Sequence, residues 1–145
     1  MGLVETWWHK GKAGIGPAIF FGDDRFIELS GYPEVGYEAG SHGTVHDLER
    51  PYADWLHHLY ATCEAQDGPF RAIGYETEWE AASALALVRD GQLLWIASLP
   101  DAEIFREVRI RSDAIEAISE EYPSRYTWRI PLDAPESLSV AGGHV

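Results

Sequence analysis

Six histidines and a large excess of carboxylates are the residues of this chain most able to do chemistry. The densest mixture of the two is His42, His46, Asp47 and Glu49. His42 and His46, four apart, would share one face of a helix and, with Asp47, begin a divalent metal site of the kind a small hydrolase uses. The intervening Gly43, Thr44 and Val45 do not favour a helix, and no third ligand follows at a recognised spacing. A metal-dependent hydrolase built on His42, His46 and Asp47 is therefore the alternative reading rather than the leading one. Glu76, Glu78 and Glu80 would line one face of a strand about 6.5 to 7 Å apart. That distance suits paired-carboxylate catalysis, and it equally suits a solvated face.

The remaining reactive residues have blander readings. His57 and His58 are neighbours that diverge on a helix, so they read as boundary residues and not as ligands of one ion. Cys63 falls in an apolar stripe, where burial makes a thiol inert. No serine sits in a GxSxG elbow. The glycines between Gly11 and Gly16 match no phosphate-binding loop and read as a connection, although Lys10 and Lys12, the only lysines of the chain, make it the one locally basic spot. No cofactor motif emerges.

Charge is the strongest compositional signal: 24 acids stand against 11 Lys and Arg, a formal net charge of −13. Such a field repels phosphate backbones and anionic lipids, which argues against direct nucleic-acid or membrane-surface binding and favours a basic protein partner. Residues 23 to 67 hold ten of the acids and only Arg25 and Arg50, whereas five arginines fall between residues 106 and 129, so the acidic face is expected early and the carboxy-terminal part reads as balanced scaffold. Tyr32, Tyr37, Tyr52 and Tyr60 are interleaved with Glu34, Glu38, Asp47, Glu49 and Asp54. Tyrosines supply rigid contact area and carboxylates steer a cationic partner. Tyr32, Glu34, Tyr37, Glu38, Asp47, Glu49 and Asp54 are thus the expected partner-binding residues, while Tyr52 and Tyr60 are expected in the core.

At 145 residues the chain fits a single domain, 1–145. It has no apolar run near the roughly 20 residues a bilayer span needs, no signal-type amino terminus and one cysteine, which together place it in the cytoplasm. The elements that must position these residues follow from periodicity. Ile19 to Leu29 reads as a hairpin turning at Gly22–Asp24, and residues 30 to 44, with four glycines and Pro33, read as loop. Pro51 opens a predicted helix over 51–66, with Trp55, Leu56, Leu59, Tyr60 and Cys63 on one side. Residues 71–79 read as a strand. Ala84 to Leu99 forms a hairpin about Asp90–Gly91, apolar on both faces, with Leu87 opposite Leu94. A strand follows at 104–110, then a second helix over 113–122 capped by Asp113, a last strand from Tyr126 to Leu132, and a frayed tail at 141–143.

The sum is an α+β domain: a mostly antiparallel sheet of five to six strands with two helices. The function read from it is an acidic protein-binding module, an inhibitor or immunity-type protein that neutralises a basic toxin or nuclease. A further alternative is a ligand-binding or regulatory subunit that oligomerises through Trp7 and Trp8.

Overall fold

Short turns between apolar runs dictate the architecture. The computed structural model describes residues 2–47, 56–78 and 82–144. A short helix, α1 (Leu3–His9), leads into β1 (Lys12–Ala13), β2 (Ala18–Phe21) and β3 (Arg25–Tyr32). The β2–β3 turn is closed by the amide of Asp24 on the Phe21 carbonyl, with Asp24 at φ 74°. Then come β4 (Gly36–Thr44), a single 3₁₀ turn at Val45–Asp47, and β5 (His57–Asp67). Gly68, at φ 60°, turns the chain into β6 (Phe70–Thr77). Asp90 and Gly91, both at positive φ, make the expected two-residue turn between β7 (Ala82–Arg89) and β8 (Gln92–Pro100). The remaining strands are β9 (Phe105–Arg111), β10 (Ala114–Glu121), β11 (Ser124–Pro131) and β12 (Ser139–His144).

These twelve strands form two antiparallel sheets. The larger has the order β1-β5-β6-β7-β8-β2-β3-β4 and the smaller β12-β11-β10-β9. The chain is therefore mostly antiparallel β, and the α+β reading with two helices and five to six strands is corrected. β7 is buried on both faces because it lies mid-sheet. Its Leu85 and Leu87 join Trp95, Leu99, Ile115, Trp128 and Ile130 in the core between the sheets, while Ala84, Ala86 and Val88 face a second cluster with Phe20, Ile96 and, from α1, Val4 and Trp7. Buried indole N–H groups must find acceptors. Trp95 donates to the Leu132 carbonyl at 2.9 Å and Trp128 to Ser119 Oγ at 2.8 Å.

Both predicted helices gave way to strands for identifiable reasons. The segment 51–66 carries helix-like spacing, but Gly68–Pro69 and the strongly strand-forming β6 capture residues 57–67 as a hairpin arm, so tertiary pairing overrides local pattern. Tyr60, expected in the core, is 52% exposed. Residues 51–55, including Tyr52, lie outside the described residues. Over 113–122 the apparent cap and the Ile115–Ile118–Tyr122 spacing concealed an alternation. Ile115, Ala117 and Ser119 face inward, two of them small because the Trp128 indole and the Tyr126 ring fill the space from the next strand. The glycine-rich stretch expected as loop contains the edge strand β4, and the expected frayed tail pairs as β12. The β7–β8 hairpin holds with a shifted register: Leu87 opposes Trp95 and Val88 opposes Leu93, leaving Leu94 at the surface. Three strands with open edges, β4, β5 and β9, each meet their neighbour through a register shift. Such bulges interrupt the straight ladder that edge-to-edge pairing needs. Among the described residues no helix is long and apolar enough to cross a membrane.

Candidate protein-docking surface

One end of the sandwich gathers three turns. The β3–β4 turn, closed by the Val35 amide on the Tyr32 carbonyl, carries Glu34. The β8–β9 loop carries Asp101 and Glu103 and is tied down by Ser83 Oγ, which donates to the Glu103 carbonyl at 3.1 Å. The β10–β11 turn carries Glu121 and Tyr122. Glu34 Oε1 accepts the Tyr126 hydroxyl proton at 2.9 Å, anchoring the first turn to the small sheet. The Glu103 carboxyl lies close enough to that of Glu121 for the two to interact. Partial burial first, then the neighbouring Glu121 carboxyl and the negative charges of Glu34 and Asp101, push the Glu103 carboxyl above the ordinary range.

The apolar content of this end is equally distinctive. Three of the six exposed large hydrophobic side chains among the described residues, Tyr122 (83% exposed), Val35 (69%) and Tyr32 (50%), sit on these turns. Tyr37 lies beneath them with its ring against Trp128, centroids 5.8 Å apart. Its hydroxyl is buried without a hydrogen-bond partner among the described residues. Burial and the nearby carboxylates of Asp101 and Glu34, with Tyr126 beside them, drive its pKa well up. The same logic, burial first and then Glu34, raises Tyr126.

The expected partner-binding residues separate into groups. Tyr32 and Glu34 lie in the surface itself and Tyr37 supports it from below. Glu38 is exposed on β4, opposite Ser30. Asp47 lies beyond the far end of β4, where it accepts a hydrogen bond from Thr44 Oγ1 at 2.9 Å. Glu49 and Asp54 lie outside the described residues. The acids of residues 23–67 thus do not converge as a block: Asp23 pairs with Arg25, Glu64 with Arg71, and Asp24 is buried. Asp101, Glu103, Glu121 and Tyr122 come from the part read as scaffold. For Glu121 and Tyr122, the Tyr122–Pro123 pair next to two glutamates was the turn signal that would have exposed them.

The alternative metal residues are dispersed. His42 is exposed on β4 opposite Ile27, while His46 Nε2 lies 2.7 Å from Asp24 Oδ2. No group of three His, Cys, Asp or Glu among the described residues is placed to hold an ion. Cys63 lies on β5 with Sγ near the Phe105 carbonyl, and burial pushes its thiol pKa up. His57 is buried on β5, which lowers its imidazole pKa. Glu78 accepts the His58 amide at 3.1 Å, and Glu80 lies outside the described residues. Trp7 is buried under α1, and Trp8, only partly buried, donates to the Tyr75 hydroxyl, so of the two indoles in the oligomerisation reading only Trp8 reaches solvent. Compared with protein-family models, curated proteins and solved structures, the chain has no match.

Proposed function

We propose that the protein is an acidic binding module of the inhibitor or immunity type, and that the end formed by the three turns receives a basic protein such as a nuclease or toxin. The observation that carries this reading is the convergence of Glu34, Asp101, Glu103 and Glu121 around exposed Tyr32, Val35 and Tyr122. Carboxylates held together against their mutual repulsion reduce stability, and an incoming cation relieves that repulsion. The tyrosines supply flat, rigid area that is desolvated on contact, the composition in which binding energy concentrates. A net charge of −13 adds long-range steering.

The test is affinity capture from the native host with the wild-type protein and with the double variant Glu103→Lys, Glu121→Lys as baits. A basic protein retained by the wild type and lost by the folded variant, with an association rate that falls steeply as salt rises, is the expected result. Equal retention on both baits, or a salt-independent association rate, overturns the assignment of this surface.

A further inference from the structure

A second site lies on the opposite, outer face of the large sheet. Between the end of α1 and strands β5 and β6 the structure leaves a groove of about 270 Å³. Leu59 and Ala61 of β5 and Ile73 of β6 form its apolar floor, and the rings of Trp8 and Tyr75 form one wall. Alternation along β6 places Arg71, Ile73 and Tyr75 on this one face, so a cation and a hydroxyl share it with the apolar floor. Tyr75 is only 8% exposed, and its hydroxyl accepts the Trp8 indole proton at 2.9 Å. Its own proton meets no acceptor among the hydrogen bonds of the described residues. Gly11, at the rim, sits between the chain's only two lysines, Lys10 and Lys12. In a chain of net charge −13, the guanidinium of Arg71 is the cation that lines this groove among the described residues.

We propose that this groove binds a small monocarboxylate with an apolar body, the body lying over Leu59, Ala61 and Ile73 against the Trp8 ring and the carboxylate meeting Arg71 and the Tyr75 hydroxyl. Charge and shape both select this class. Arg71 is already paired with Glu64, but a guanidinium has five donors, and those not engaged remain for a second carboxylate. The same Glu64 disfavours a dianion such as a phosphate monoester. The apolar floor disfavours a small inorganic anion, which would leave it wet.

The experiment is a ¹H–¹⁵N NMR titration of the full chain with octanoate, with 1-octanol and with octyl phosphate as comparison probes. Octanoate is expected to shift the Gly11, Ala61 and Ile73 amides saturably, and both comparison probes to bind more weakly. Arg71→Met and Tyr75→Phe are each expected to weaken octanoate by roughly tenfold or more. Tyr75→Phe removes one oxygen, so it reports even if the Arg71 variant fails to fold. Absence of saturable shifts at the groove, octanol binding as tightly as octanoate, octyl phosphate binding as tightly as octanoate, or an unchanged affinity in Tyr75→Phe overturns the proposal.

Discussion

Asp24 and Glu103 are both carboxylic acids near the surface of one small protein, and their surroundings are opposite. Asp24 is held in the β2–β3 turn, where its two oxygens accept the first amides of α1, Leu3 at 3.1 Å and Val4 at 2.9 Å, together with the His46 ring nitrogen at 2.7 Å. Burial alone would raise its pKa, but those donors outweigh it and hold the carboxyl below the ordinary range. Glu103 meets a second carboxyl instead, with two more acids nearby, and its pKa moves up. One acid is satisfied by the fold and the other is left wanting a cation. The difference separates charge that builds the structure from charge that is available to a partner.

The comparison is broken most directly at Asp24. Asp24→Ala removes the acceptor of two helix amides and places alanine at a φ of 74°, so a loss of about 2 to 3 kcal/mol in urea-unfolding free energy is expected. A loss under half a kcal/mol would mean that α1 is held by its apolar face alone. The pH dependence carries the same contrast with opposite signs. A lowered carboxyl contributes stability that is present above its unfolded pKa and lost as pH falls through the folded value, so Asp24 steepens the acid limb of the stability curve. A raised carboxyl contributes stability that is complete below the unfolded pKa and lost as pH rises through the folded value, so Glu103 tilts the curve down toward neutrality. Asp24→Asn should flatten the acid limb, and Glu103→Gln should remove the tilt.

How much of this was legible in the sequence follows from the same physics. Asp90–Gly91 and Gly22–Asp24 specify their turns through residues that tolerate positive φ, and β6, β7, β8 and β11 announce themselves by alternation or by continuous apolar runs. β10 stayed hidden because Ala117 and Ser119 are small where Trp128 and Tyr126 are large, so its inward face has no apolar signature of its own. β4 stayed hidden because an exposed edge strand rich in glycine has nothing to alternate. At the docking surface, Tyr32 and Glu34 were readable as a turn with exposed aromatic and acid. Their joining with Asp101, Glu103 and Glu121 was not, since it depends on two sheets packing so that turns distant in sequence meet. No local pattern encodes that.

A smaller effect is expected beneath the surface. Tyr37→Phe deletes a buried hydroxyl that has no partner among the described residues and faces acids, while keeping the ring against Trp128. Removing an unsatisfied polar atom relieves its desolvation penalty, so unfolding free energy should rise by up to about 1 kcal/mol. A fall of that size would show that the hydroxyl has an acceptor in solution and that Tyr37 helps to hold the turns.

The smallest stability change, and the sharpest discrimination, is expected from neutralising the carboxyl pair. Glu103 and Glu121 repel, but both reach solvent, and screening reduces the gain from Glu103→Gln at neutral pH to a few tenths of a kcal/mol. The informative measurement is therefore site-specific: a ¹³C NMR titration of the Glu103 carboxyl in the wild type and in Glu121→Gln. In the wild type Glu103 holds its proton to a higher pH than an ordinary glutamate, and in Glu121→Gln the midpoint should move down. An unchanged midpoint would mean that burial, not the neighbouring charge, sets the Glu103 titration. The contrast with Asp24 would then be one of solvation, and these turns would no longer stand apart as charge left uncompensated by the fold.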